Sequence, residues 1–167
     1  MYKRQGQSTE LIYDIDKRVN VDSKEIGVVM MNENFLNQNP ISVAHEDNAI
    51  QFFDKIFYAS DFSHRNLIGV SGTFTSVGSM YLNQTKYNED EIHKIDISYE
   101  SINRLYENIK LLTIPQIINS YPSLDPKRAA TITSGLFLVI NLLKKYEINQ
   151  LKVSKSDILE GLILKYF

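Results

Sequence analysis

The sequence predicts an α/β domain. Short apolar runs that suit strands come early in the 167-residue chain, helical apolar stripes come later, and the two alternate in between. Hydrophobic residues make up 43% and charged residues 23% of the chain, which is the composition of a globular protein that buries a core. Cysteine is absent, and this excludes disulfides and thiolate chemistry.

The charge balance and the apolar runs narrow the classes of function. The net charge is −2 and the isoelectric point about 5.9, so the chain has no overall field that attracts nucleic acid. No apolar run approaches the roughly 20 residues that cross a bilayer, and the N-terminal residues carry no signal-peptide pattern. We therefore expect a cytoplasmic protein that binds neither nucleic acid nor a membrane.

The first elements are predicted from apolar and β-branched runs that alternate with polar turns. A glycine turn at Gly6 leads into the first strand, and apolar positions at helical spacing mark a helix before residue 60. In order, we predict a strand over Leu11–Ile15, a hairpin turn over residues 14–20, a strand over Ile26–Met31, a short helix capped by Asn32 and ended by Pro40, and a helix over His45–Ala59.

A strand that runs directly into a helix is the centre of the predicted fold. The apolar run Leu67–Val70 is followed by Ser71-Gly72-Thr73 and then by apolar residues at helical spacing. Such a junction leaves the first N–H groups of the helix unpaired, and together with the helix dipole they form a seat for a phosphate. Gly72 lets the backbone approach the anion, and Thr73 or Thr75 can add a hydroxyl. An ordinary strand–helix turn is the alternative.

The second half of the chain is predicted to be mostly helical, because its apolar positions repeat at helical spacing. The helix that Pro126 opens is apolar on nearly every side, so we expect it to be buried. Lys127 and Arg128 at its start are either a solvated helix end or a cationic contact to a phosphate chain. In order, we predict a loop over residues 83–94, a helix from Ser98 to near Pro115, a short helix to Pro122, the buried helix from Pro126 through Leu143, a strand over Leu151–Val153 and a last helix to Lys165.

Five motifs occur in the order and rough spacing of one known family. They are Gly6-Gln-Ser-Thr-Glu-Leu11, Ile26-Gly-Val-Val-Met30, Gly69-Val-Ser-Gly-Thr73, Arg128-Ala-Ala-Thr-Ile-Thr-Ser-Gly135, and Val153-Ser followed by Glu160-Gly161. From Gly6 to Phe167 the chain resembles the second domain of the exopolyphosphatase/guanosine pentaphosphate phosphohydrolase (Ppx/GppA) family. The resemblance implies a ribonuclease H-like fold of the actin-like ATPase superfamily, which includes sugar kinases and Hsp70.

The resemblance also implies a reaction and its residues. Members of the family are hydrolases that release terminal phosphate from inorganic polyphosphate or pppGpp with Mg²⁺, and the sequence does not choose between these substrates. Glu10 is implied as a catalytic or magnesium-linked carboxylate. The family's metal-linked Asp has no counterpart, and the three histidines are too far apart for a metal motif, so the metal ligands stay unassigned. The phosphate-binding positions that carry over are Gly6, Ser8, Thr9, Gly72 and Thr73.

The parts of the family pattern that are missing predict an incomplete arrangement. Residues 1–5 are interpreted as an unrelated leader and residues 6–167 as the family's second domain, without the first domain and without the central strand of the sheet. We therefore expect exposed apolar strand edges, a tendency to aggregate, and little activity from this chain alone. A homodimer is a further expectation. The alternatives are a non-catalytic module that binds a nucleotide or polyphosphate, and an inactive fragment.

Overall fold

The N-terminal part of the described chain is an antiparallel hairpin. Strand β1 (Thr9–Ile15) pairs with β2 (Arg18–Lys24), and Ile12 lies opposite Val21. Side chains alternate between the two faces, so Leu11 packs against the core while Ile12 is 70% exposed. The hairpin therefore covers the core with one face only. The computed structural model describes residues 6–15, 17–57 and 67–156.

A second sheet of three strands lies within the described chain. Strand β3 (Leu67–Val70) pairs in parallel with β5 (Gln150–Ser154), and β5 pairs antiparallel with β4 (Asp96–Ser98). The central strand β5 buries Leu151 and Val153 completely. This burial fits a strand that has a neighbour on both sides.

The two sheets leave strand edges open. Among the described strands, β1 pairs only with β2, and β3 pairs only with β5. On β3, Ile68 is 60% exposed and Val70 is 46% exposed. That a central strand is missing between such edges, and that the chain tends to aggregate, both stay predictions.

One buried helix organises the helical part of the described chain. In α8, every residue except Asn141, Lys144 and Lys145 is buried, and the helix packs against α1, α3 and α5. None of the described helices combines the length and the apolar character that a membrane span requires. The helices are α1 (Val28–Asn34), α2 (Val43–Ile56), α3 (Gly72–Tyr81), α4 (Glu89–Ile92), α5 (Tyr99–Ile109), α6 (Ile114–Ser120), α7 (Pro126–Ala129) and α8 (Ile132–Lys145).

The predicted strand over Ile26–Met31 is wrong, because the chain becomes helical at Val28. Gly27 is extended and precedes the first turn of α1, and the N–H of Val29 donates to the carbonyl of Gly6 at 2.8 Å. Tertiary packing against this turn overrides the β propensity of the two valines. The second strand is instead β2, over residues assigned partly to the hairpin turn.

The predicted helix from Pro126 through Leu143 is in fact two helices. Helix α7 ends at Ala129, and the N–H of Thr131 donates to the carbonyl of Arg128 at 2.9 Å before α8 begins. The predicted loop over residues 83–94 contains α4, and the helix from Ser98 ends at Ile109. The end of the helix predicted to reach residue 59, and most of the predicted last helix, lie outside the described residues.

A buried polar cluster joins α2 to α5. The hydroxyl of Tyr106 donates to Glu46 Oε1 at 2.8 Å, and Lys110 Nζ lies 3.0 Å from both oxygens of Glu46. Burial raises the pKa of Tyr106, and the hydrogen bond to Glu46 raises it further. Burial lowers the pKa of Lys110, but hydrogen bonds to Glu107 and Glu46 outweigh this effect and leave it raised.

The free energy of unfolding is expected to fall as the pH rises above about 10, the ordinary pKa of tyrosine. The pKa of Tyr106 is higher in the folded chain than in the unfolded chain, so its contribution is complete below pH 10 and is lost above it. Tyr106→Phe should cost about 1–2 kcal/mol at pH 7 and flatten the alkaline fall. Urea unfolding between pH 8 and pH 11 measures this, with the exposed Tyr87→Phe as control. An equally steep fall in Tyr106→Phe would contradict it.

Candidate functional site

The first predicted phosphate-binding turn, at residues 6–8, packs against the N-terminal end of α1. Gly6 has a φ of +81°, which favours glycine, and its carbonyl accepts the N–H of Val29. A Cβ built on Gly27 would lie 2.3 Å from the carbonyl oxygen of Gly6 and 2.6 Å from the backbone nitrogen of Ser8. The turn therefore lies directly against the backbone of Gly27.

Glu10 is exposed and is held by two serine hydroxyls. Ser8 Oγ donates to Glu10 Oε1 at 2.7 Å, and Ser23 Oγ, from the paired strand, donates to the same oxygen at 3.3 Å. Glu10 Oε2 remains available to water. Thr9 is different, because its hydroxyl donates to the carbonyl of Ile26 at 2.5 Å. That proton is engaged in the fold, so the hydroxyl of Thr9 does not donate to a phosphate in this arrangement.

The second predicted phosphate turn connects β3 to α3. Ser71, which precedes the helix, has φ +149° and ψ 172°, a conformation that favours glycine and is strained in serine. Its side chain does not cap the helix, whereas Ser76 Oγ donates to the carbonyl of Gly72 at 2.7 Å. The first free N–H groups of α3 therefore have no side-chain acceptor from Ser71.

A cation lies directly over the start of α3. A Cβ built on Gly72 would lie 2.1 Å from Arg128 Nη2 and 2.3 Å from Arg128 Nη1. Arg128 is exposed, and within the part of the chain that the structure describes, its guanidinium makes no ion pair or hydrogen bond. Positive charge beside a helix N-terminus is unfavourable unless an anion balances it.

The two turns approach each other through Gly135 of α8. A Cβ built on Gly135 would lie 2.8 Å from Thr73 Cγ2 and 3.8 Å from Val28 Cγ2. Thr73 belongs to the first turn of α3, and Val28 follows Gly27, on which the Gly6 turn rests. The structure thus brings the predicted positions Gly6 and Thr73 to the same end of the domain.

Three contributors to the site were not predicted from the sequence. Gly27 and Gly135 are close-approach positions, and Asn32, which was predicted to cap a helix, contacts the turn before α8 instead. A signal existed for Gly135, because a glycine in the interior of an apolar helix is costly unless another element packs closely on it. Gly27 lies in one of the five family motifs, but the apolar pattern around it predicts a strand and does not indicate a close approach of the Gly6 turn.

The described residues do not assemble a metal site. Within residues 6–15, 17–57 and 67–156, no three His, Asp or Glu side chains come together as metal ligands. His45 contacts Gln38 and Ser42 near the start of α2, and His93 Nδ1 accepts the N–H of Lys155. Glu10 alone does not make a site for Mg²⁺, which stays a prediction of the resemblance.

Sequence comparison places the chain among phosphatases. The sequence model of the Ppx/GppA phosphatase family matches residues 5–167. The bifunctional 3-dehydroquinate synthase/phosphatase of Fusobacterium nucleatum is 29% identical over 170 residues, which cover 96% of this chain and 25% of that protein. Exopolyphosphatase 2 of Mycobacterium tuberculosis is 25% identical over 168 residues, which cover 95% of this chain and 52% of that protein. The chain thus spans a quarter to about half of these relatives.

Solved structures share the fold. The type II crystal structure of the Aquifex aeolicus Ppx/GppA phosphatase matches with a TM-score of 0.86 and 22% identity, over 97% of this chain and 54% of that chain. An exopolyphosphatase from Cytophaga hutchinsonii matches with a TM-score of 0.81 and 21% identity, over 96% and 54% of the two chains. The predicted α/β fold class is confirmed, and the chain shares its fold with these Ppx/GppA and exopolyphosphatase structures only as far as the coverage given above.

Proposed function

The chain belongs to the Ppx/GppA phosphatase family, and from that premise we propose that it is the phosphate-binding half of a hydrolase that removes terminal phosphate from polyphosphate. The observation that carries the proposal is the Arg128 guanidinium over Gly72. The guanidinium lies beside a helix start that has no side-chain cap, and a bound anion would balance both its charge and the helix dipole.

A phosphate at this position would accept hydrogen bonds from two kinds of donor. The first N–H groups of α3 point out of the helix, and the guanidinium offers a planar fork that matches two phosphate oxygens. Gly72 has no Cβ, so the backbone and Arg128 can approach the same anion. Thr73, next along the helix, contributes its N–H to this group.

Glu10 is the residue proposed to act on water. Both serine hydroxyls bond to Oε1, which fixes the carboxylate and leaves Oε2 to accept a proton or a hydrogen bond from an attacking water. The water would add to the terminal phosphorus while the bond to the next bridging oxygen breaks and the leaving phosphate takes up the negative charge. Gly6 and Ser8 are proposed to hold the adjacent phosphates through the N-terminal turn.

The substrate assignment rests on relatives. One similar protein is named an exopolyphosphatase, and polyphosphate presents only phosphates, which is the chemistry that the Arg128–Gly72 seat recognises. The guanosine pentaphosphate alternative comes from the family name and finds no base-binding group in the geometry described above. The Mg²⁺ cofactor, a partner domain, the homodimer and the cytoplasmic location remain proposals from the resemblance.

A binding-only module is the second candidate. It would use the same seat without hydrolysis, and the observation that favours it is that, among the described residues, Glu10 belongs to no group of three or more His, Asp or Glu side chains that could hold a metal ion. The two candidates differ in phosphate release and agree on phosphate binding. Binding is therefore the first test.

Arg128→Gln is expected to weaken the binding of tripolyphosphate to the 167-residue chain at least about tenfold, because a charge-assisted contact is lost. Lys127→Gln is the matched control, since it removes a neighbouring exposed cation from the same single-turn helix and should change affinity less than about twofold. Isothermal titration calorimetry in 0.1 M salt measures both. Equal losses in the two variants, or no binding by the wild-type chain, would contradict the proposed seat.

A further inference from the structure

The side chain of Asn32, on α1, reaches the turn between α7 and α8. One terminal atom of its side-chain amide lies 2.9 Å from the carbonyl oxygen of Ala130, 3.2 Å from that of Leu36 and 3.2 Å from Ser134 Oγ. Carbonyl oxygens only accept hydrogen bonds, so it is the amide nitrogen, and not the amide oxygen, that faces them. Ser134 is fully buried. Asn32 is thus bonded into the interior beside this turn.

The turn that Asn32 contacts directly follows α7, the single-turn helix that carries Arg128. Ala130 follows Arg128 by two residues, and the backbone hydrogen bond from Thr131 to Arg128 keeps the turn short. A shift of the Ala130 carbonyl would therefore move the guanidinium relative to Gly72. Among the described residues, the guanidinium of Arg128 makes no hydrogen bond that would hold it over Gly72.

The opposite end of α1 holds the other phosphate turn. The N–H of Val29 donates to the carbonyl of Gly6, and Gly27 lies against the same carbonyl. One short helix therefore contacts the Gly6 turn at its first residues and the α7–α8 turn through Asn32. No other described residue is bonded to the Ala130 carbonyl by its side chain.

We infer that Asn32 is a positioning residue for phosphate binding: it fixes the α7–α8 turn against α1 so that Arg128 stays over Gly72. The inference rests on the proposed function, because it concerns the affinity of the same seat. Asn32 does not touch the anion in this arrangement, and it acts only through Arg128. Loss of the Asn32 amide should therefore weaken phosphate binding. In a variant without this amide, the substitution of Arg128 should also cost less affinity than it does in the wild-type chain.

A double-mutant cycle on the 167-residue chain tests the inference, with tripolyphosphate as the probe. Asn32→Ala is expected to weaken binding about three- to tenfold, and in that background Arg128→Gln should cost less than about threefold instead of tenfold. Asn34→Ala is the matched control, because this exposed residue on the same helix donates only to the carbonyl of Met30. It should leave both affinity and the effect of Arg128→Gln unchanged.

The outcomes separate the two levels of the proposal. If the wild-type chain does not bind tripolyphosphate, the proposed function and this inference are both overturned. If it binds, and Arg128→Gln costs the same tenfold with and without Asn32, the inference alone is overturned. If Asn32 only stabilised the fold, Asn32→Ala would lower the melting temperature. The affinity losses caused by Asn32→Ala and by Arg128→Gln would then simply multiply in the double variant. If Asn32→Ala does not fold, Ser134→Ala removes one acceptor of the same amide and is measured in the same cycle.

Discussion

Gly27→Ala is expected to lower the free energy of unfolding by about 3 kcal/mol or more, the range of severe overpacking. The new methyl group would lie 2.3 Å from the carbonyl oxygen of Gly6 and 2.6 Å from the nitrogen of Ser8. Both atoms belong to the backbone and cannot rotate away. The φ of Gly27 is −138°, which alanine adopts without strain, so the effect is purely steric.

Gly72→Ala is the control that separates a backbone clash from a side-chain clash. Its methyl group would meet Arg128 at 2.1 Å, which is at least as close, but the contact is with the far end of a flexible side chain. We expect a change in stability below about 1 kcal/mol, because the guanidinium can move aside and alanine suits a helix. The affinity for tripolyphosphate should nevertheless fall, since the same movement removes Arg128 from the seat.

Chemical denaturation of Gly27→Ala and Gly72→Ala measures the difference between their free energies of unfolding. The turn formed by Gly6 and Ser8 should also lose protection in amide hydrogen exchange in Gly27→Ala, because it can no longer rest on α1. If Gly27→Ala unfolds cooperatively with a free energy of unfolding within about 1 kcal/mol of the wild-type value, the turn formed by Gly6 and Ser8 can shift away from the new methyl group at little cost. In that case the close packing between Gly6 and Gly27 would not be what defines the first phosphate turn.

The sequence alone is sufficient for the elements whose pattern is local. The apolar run Leu67–Val70 and the following glycine predict both β3 and the start of α3, because strand and helix periodicities change at that point. The burial of α8 follows from apolar residues on all its sides. The helix start at Ser98 was also predicted correctly, and its side chain accepts the N–H of Ser101.

Where the prediction was wrong, tertiary contacts outweigh local preference. Val28 and Val29 read as a strand, yet the Gly6 turn and α8 pack around them and stabilise a helix. The break between α7 and α8 is similar, since Asn32 from a distant segment bonds to the Ala130 carbonyl. A single sequence does not reveal contacts between segments about a hundred residues apart.

The candidate site was predictable only in part for the same reason. Gly72 and Thr73 stand out because a strand–glycine–helix junction has a direct physical meaning for anions. In the sequence, Arg128 and Lys127 are equal candidates for a cationic contact to a phosphate chain, and only the structure distinguishes Arg128, because its guanidinium lies over Gly72. The contact between the Arg128 guanidinium and Gly72 occurs where α7 and α8 are separate helices, and the pattern of apolar residues did not indicate this break.

Glu10→Gln is expected to reduce phosphate release from polyphosphate by about 100-fold or more relative to the wild-type protein, as the loss of a water-activating carboxylate does. Glutamine keeps the size of the side chain and can still accept the hydroxyl of Ser8 through its amide oxygen, so the fold of β1 should be retained. It cannot take up a proton from water. The loss should therefore appear in kcat, and the binding of tripolyphosphate should stay within about threefold of the wild-type value.

Glu25→Gln provides the matched control, because it makes the same chemical change at another exposed position near the hairpin. It should leave phosphate release within about twofold. If Glu10→Gln releases phosphate at the wild-type rate, Glu10 is not the group that activates water, even if the Arg128 seat binds polyphosphate. If the wild-type protein binds tripolyphosphate tightly but releases no phosphate, the binding-only alternative is correct. In that case the serine contacts to Glu10 Oε1 serve the hairpin, because the Ser23 contact joins β1 to β2 near its open end and the Ser8 contact holds the residues that lead into β1.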